Sequence, residues 1–179
     1  MALWLVTGIP GSGKSTTARA LARSVGRGVH IEGDLLQRMI VSGGVPPRPE
    51  ADAESERQIG LNIRHQCMLA RSFRAESFAV VIDYVVANRR RLDQYLGLLA
   101  PEQVALVVLC PSMETAEARD LARTTKRVLP AWRHLADEIR AELSGTGLWL
   151  DNTGLSVEET VRQIHAGSRT ARISHQSSA

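Results

Sequence analysis

The stretch GIPGSGKS, residues 8–15, decides the fold. It fits the pattern G-x-x-x-x-G-K-[ST] at every fixed position. Glycines let a backbone curl until several N–H groups converge on one point, and such a concavity takes phosphate oxygens. A helix opening behind it adds unpaired donors and the positive end of its dipole. In this reading Gly8, Pro10, Gly11, Ser12, Gly13, Lys14, Ser15 and Thr16 cradle a nucleotide's phosphates. Lys14 reaches the β- and γ-phosphates, and the Ser15 hydroxyl is a ligand for Mg²⁺.

The flanks agree with the motif. LWLVT (3–7) is a short apolar run that reads as a buried strand, and Ala18, Leu21, Ala22 and Val25 form a helical stripe closed by Gly26. Further on, VHI (29–31), FAVVIDYV (78–85), VALVVLC (104–110) and LWL (148–150) read as strands. Helical stripes run through Leu35–Val41, Ile59–Ala70, Leu92–Leu99 and Trp132–Leu143, and a capping box of Ser156 and Glu159 opens a last helix. Strands and helices alternate five times, which predicts a parallel α/β sheet covered on both faces and joined by right-handed crossovers. The domain is expected over residues 1–166. A Gly/Pro-rich flap lies at about 42–55 and a polar lid at about 112–128. Residues 167–179 are small and polar and read as a disordered tail.

Composition narrows the class. The chain has 179 residues, 44% hydrophobic and 23% charged, with a net charge of +3. That suits one globular domain with an anion site and does not call for nucleic acid. Cys67 and Cys110 form no C-x-x-C pair, which reads as a reducing cytoplasm. MALWLVTG is too short for a signal-peptide core, and no apolar run approaches the roughly 18 residues of a membrane span.

Two acids stand at strand ends. Asp83 closes the third strand and is a candidate for the outer shell of a Mg²⁺ ion held by Ser15. A turn-capping aspartate is the alternative. Asp34, in HIEGDLLQRMI (30–40), follows the second strand, whose end opens on the same edge as the phosphate loop. It serves either as a cap for the helix after it or as the base that takes a proton from an acceptor hydroxyl. Arg119, Arg123 and Arg127 recur at i, i+4, i+8, along one side of a helix. Arg119 or Arg123 suits charge developing on a transferred phosphoryl group, and a solvated basic face is the alternative. Arg89–Arg91 reads as a solvated run, the five histidines have no metal-ligand spacing, and Trp132 reads as core.

These pieces together resemble the small P-loop kinases of the gluconate kinase, chloramphenicol phosphotransferase and polynucleotide 5′-kinase type. The likeness covers about residues 2–165 and rests on GIPGSGKST, IEGDLLQRMI, VVIDYV, EARDLAR and LWLDNTG. An IEGD…PP stretch, 31–47, is shared with bacterial members of the group. The resemblance implies a five-stranded parallel sheet ordered 2-3-1-4-5, ATP with Mg²⁺, Asp34 as general base, and lid arginines at Arg119 and Arg123. The arginine that holds the substrate phosphate in polynucleotide kinase falls on Gln37, with Arg38 one place off, which argues against a nucleic-acid end.

The expectation is therefore a cytoplasmic, ATP-dependent kinase acting on a hydroxyl of a small molecule, a monomer or homodimer. An antibiotic-inactivating phosphotransferase and a nucleotide-binding switch without an acceptor are the rivals. Arg38 and Arg48 flank the expected pocket and point to an acidic acceptor.

Overall fold

The computed structural model describes residues 2–47, 52–122 and 132–173. Its centre is a parallel sheet of β1 (Leu3–Gly8), β2 (Gly28–Glu32), β3 (Ala79–Asp83), β4 (Val104–Leu109) and β5 (Leu148–Leu150), ordered β2-β3-β1-β4-β5. Both the class and the strand order agree with the expectation. β1, β3 and β4 are buried along their whole length. Continuous apolar runs are what such strands need, because helices cover both faces of the sheet.

One core lies between the sheet and helices α3 (Ala53–Ala75) and α4 (Arg89–Leu99), and includes Leu5, Ile63, Ile82, Leu92 and Tyr95. The other lies under α1 (Lys14–Arg23) and α7 (Val157–Ala166), around Trp4, Val6, Leu21 and Ile164. Residues alternate between these cores along each strand, as the pleat requires. The short α2 (Gly33–Gln37), α5 (Met113–Leu121) and α6 (Leu135–Leu143) complete the main layers. Trp132 packs against the first core, as read from the sequence. Cys67 is buried there, and burial pushes its thiol up to about 12, so it packs as an inert apolar residue. The Ser156–Glu159 capping box is formed in both directions.

Two expectations need correction. The tail was expected from residue 167, yet α8 (Ser168–Ala171) and β6 (Arg172–Ile173) follow α7. β6 pairs antiparallel with Val104 and Ala105 of β4, and Ala171 is fully buried beneath it. The start of β4 had an open edge, and this short return covers it. The helix expected at Leu35–Val41 instead spans Gly33–Gln37 and begins as soon as β2 ends. Arg123, Arg127, Arg48 and the end of the former tail lie outside the described residues.

Candidate active site

The phosphate loop joins β1 to α1 at the C-terminal edge of the sheet. Gly11 and Gly13 have φ of 79° and 85°, the left-handed region that favours glycine. Gly11 also has no space for a side chain, since an ideal Cβ there would stand 2.2 Å from the Ala116 carbonyl oxygen. Gly13 occupies the N-cap of α1 and supplies no side-chain cap. The first N–H groups of α1 are thus left for a ligand. Lys14 is buried at the head of the helix, Ser15 is half-buried and Thr16 is exposed. Ser12 is fully buried, and its Oγ finds no hydrogen-bond partner among the described residues.

Gly11→Ala is expected to lose about 1–2 kcal/mol of stability from backbone conformation alone, with more from the clash. Thermal denaturation would register a clear fall in Tm, with nucleotide affinity falling as well.

The loop is braced from two other elements. Asn152, just past β5, donates from Nδ2 to the Ser12 carbonyl at 2.9 Å. Arg119, on α5, donates from Nη2 to the Asn152 carbonyl at 3.1 Å. A Cβ placed on Gly13 would lie 3.7 Å from both Arg119 Nη1 and Asn152 Nδ2, so these two groups flank the last glycine of the loop. Asn152 lies in LWLDNTG, a stretch that carries the resemblance, but its bracing role is not legible there because its partner is 140 residues away.

Ser15 and Asp83 meet. Ser15 Oγ donates to Asp83 Oδ2 at 2.6 Å, and the Asp83 side chain is 2% exposed. The other carboxylate oxygen lies 2.5 Å from His30 Nε2, on the edge strand β2. Asp83 is therefore gripped at both oxygens rather than capping a turn. His30 was missed in the sequence, where only metal-ligand spacing was sought among histidines. A hydroxyl and a carboxylate form a hard, all-oxygen donor pair. That pair fits Mg²⁺, which takes one or two protein ligands and completes its shell with water and phosphate oxygens. Among the described residues, no group of three or more His, Cys, Asp or Glu side chains forms a metal cage.

Asp34 lies inside the first turn of α2, not at its cap. The cap residue is Glu32, and no side chain caps the helix. The Asp34 carboxylate is exposed, while its carbonyl accepts from Arg38 N and Nε, each at 3.3 Å. The helix start presses on Tyr84, since a Cβ on Gly33 would meet Tyr84 Cδ2 at 2.4 Å. Burial, with a smaller push from the Asp34 charge, raises the Tyr84 phenol to about 12, so it stays a neutral donor.

A polar ladder on α3 supports this wall. Asn62 Nδ2 donates to the Gly33 carbonyl at 2.9 Å, Gln66 donates to Asn62, and Tyr95 donates to Gln66. Higher on the same helix, Gln58 accepts from Val45 N and donates to the Gly43 carbonyl, both at 2.8 Å. The described part of the flap is thereby tied to α3.

Two arginine expectations change. Arg38 turns toward Glu32, 3.8 Å away, so it does not stand as an unengaged charge awaiting an acidic acceptor. Arg91 is not solvated. Its side chain is 15% exposed and donates to Glu56 Oε1 at 2.7 Å.

With this geometry in place, comparison with known proteins is informative. The family model described as an AAA domain, AAA_33, matches residues 3–143. The chain belongs to the AAA_33 family. A UPF0200 protein of Aeropyrum pernix is 31% identical over 150 residues, which is 80% of this chain and 67% of that one. Among solved structures, a sugar kinase from Janibacter superposes with a TM-score of 0.71 at 18% identity, over 96% of each chain. A gluconokinase from Sinorhizobium meliloti gives 0.60 at 23% identity, over 95% of this chain and 93% of that one. This AAA_33 chain thus has the fold of the small P-loop kinases. Among its described residues no helix is long and apolar enough to cross a membrane.

Proposed function

We propose that the chain is an ATP-dependent phosphotransferase that moves the γ-phosphate of ATP to a hydroxyl of a small molecule. The observation that carries this reading is the position of Asp34. It is an exposed carboxylate at the mouth of the phosphate-loop edge, in a helix it does not cap. A base placed there can orient an acceptor hydroxyl and take its proton. The hydroxyl oxygen forms the new bond to phosphorus, the bond from phosphorus to the β–γ bridging oxygen breaks, and ADP leaves.

The loop N–H groups and Lys14 hold the β- and γ-phosphates. Ser15 and Asp83 are the residues that would hold Mg²⁺, which neutralises charge across those phosphates when bound. His30 keeps the Asp83 carboxylate in its rotamer. Arg119 closes over the transferred group from the Gly13 side, and Arg123 is assigned the same role from the sequence. Water must be kept from the transferred group, because it would otherwise compete with the acceptor.

Arg119→Ala is expected to lower kcat by about 10²–10³-fold, the range for loss of one group that stabilises transition-state charge. Equilibrium titration with an ATP analogue should show a much smaller change. An equal loss in both would make Arg119 a brace for Asn152 and nothing more. The proposed activity itself is tested by ADP release in the presence of a panel of metabolites and antibiotics, with Asp34→Asn as the blank. Release that needs an acceptor, and needs Asp34, supports the proposal.

A further inference from the structure

A cluster of arginines outside the phosphate site is not used by that mechanism. The first turns of α3 and α4 start at the same sheet edge as the active site and leave a cavity of about 180 Å³ between them. Arg57 and Arg64 line it from α3, and Arg90, Arg91 and Gln94 line it from α4, with Glu56 among them. Arg57 is paired with Glu54 at 2.7 Å. Arg90 and Arg91 share the single carboxylate of Glu56, at 2.5 and 2.7 Å. Arg64 is exposed on the cavity rim, and no acidic partner holds it among the described residues.

Four guanidinium groups thus face two carboxylates, a surplus of about two positive charges at neutral pH. The Nε of Arg91 is buried and finds no hydrogen-bond partner among the described residues. An N–H donor buried in that way is costly unless something accepts from it. That atom is closed off from solvent, so it is the charge surplus that points toward a doubly charged oxyanion. Planar guanidinium forks match the oxygens of a phosphate group better than any neutral ligand would.

The cavity also stands on the acceptor side. Helix α3 lines it and also carries Asn62, which donates to the Gly33 carbonyl beside Asp34 at 2.9 Å. The geometry points to a phosphate-binding subsite between α3 and α4 that receives an anionic group of the acceptor. This assignment to the acceptor rests on the phosphotransferase reading above. The chemistry is that of a hydroxyl compound carrying a second group, a phosphate monoester, some distance from the hydroxyl that reacts.

The test begins with the full chain saturated with AMPPNP and Mg²⁺, so that the phosphate loop is filled. Inorganic phosphate is then titrated calorimetrically into wild type, Arg64→Gln and Arg90→Gln. Both positions are exposed, and unchanged Tm and AMPPNP affinity confirm that the variants fold. One phosphate per chain is expected in wild type, weakened at least about tenfold in each variant, as loss of a charge-assisted contact implies. Absence of phosphate binding to the loaded chain, or binding that both variants retain, overturns the subsite.

Paired acceptors with and without a phosphate group separate the two sources of the anion. If the group belongs to the acceptor, Arg64→Gln raises KM for the phosphorylated member at least about tenfold and leaves kcat within about twofold, as loss of uniform binding does. Inorganic phosphate then competes with that acceptor. Phosphate that binds without competing overturns the assignment to the acceptor and marks a site for free phosphate. Absence of turnover on every acceptor, with phosphate still bound, counts against the kinase reading and leaves the subsite standing.

Discussion

Asp34→Asn is expected to lower acceptor-dependent ADP release by about 10³-fold, within the 10²–10⁴ range of general-base catalysis. That loss corresponds to roughly 4 kcal/mol in the barrier. The substitution keeps the side chain's size and removes its ability to accept a proton. The carboxylate is exposed and caps no helix, so the fold has little dependence on its charge. Tm should therefore stay within about 2 °C of wild type, as surface substitutions usually do. ATP affinity should also hold, because the charge removed does not touch the phosphate loop. A fall in kcat with an unchanged Kd for ATP is the signature of a group that acts on the acceptor.

Lys14→Ala is the second large effect, and it has the opposite signature. Lys14 is buried at the head of α1, below the curl formed by Gly11 and Gly13. Its ammonium meets phosphate in the ground state and more strongly as charge develops in the transition state, so nucleotide affinity and turnover should both fall. A loss of about 10²–10³-fold in kcat is expected by analogy with the removal of one preorganised electrostatic contact, with a further loss in affinity. Titration with AMPPNP in the presence of Mg²⁺ measures the affinity, and ADP release at saturating ATP measures the rate. Retained affinity with lost rate would show that Lys14 contacts only the transferring group. Unchanged values in both would remove the phosphate-loop reading altogether.

The contrast between these variants reflects how the site was legible. The phosphate loop could be read directly, because its chemistry is local. Glycines at fixed spacing, a lysine and a hydroxyl within eight residues carry the whole device, and β1 and α1 flank it as the motif demands. The strand runs at 79–83 and 104–109 were legible for a similar reason, since apolar continuity is a property of a segment by itself.

What escaped notice depends on partners far away in the chain. Asn152 is recognisable as a brace only once β5 places it beside Ser12. His30 becomes a support only when β2 lies along β3 and brings it to Asp83. Arg91 sits in a run of three arginines that reads as a wet surface, and Glu56 on another helix draws it inward. β6 has two residues, too few for any period, and its presence depends on the open start of β4. Asp34 falls between these cases. Its place after a strand was legible, but its freedom from capping followed only from where α2 begins.

The central claim is that this edge transfers phosphate to a hydroxyl, with Asp34 as the base. The measurement that tests it most directly is γ-phosphoryl transfer from radiolabelled ATP to members of the acceptor panel, run in parallel on wild type and Asp34→Asn, with AMPPNP affinity measured on both. The account predicts labelled acceptor from wild type, none above background from Asp34→Asn, and equal AMPPNP affinity. Label released only as inorganic phosphate, at the same rate in both proteins and with every compound, would contradict it. The chain would then be a nucleotide hydrolase or switch, and Asp34 a bystander.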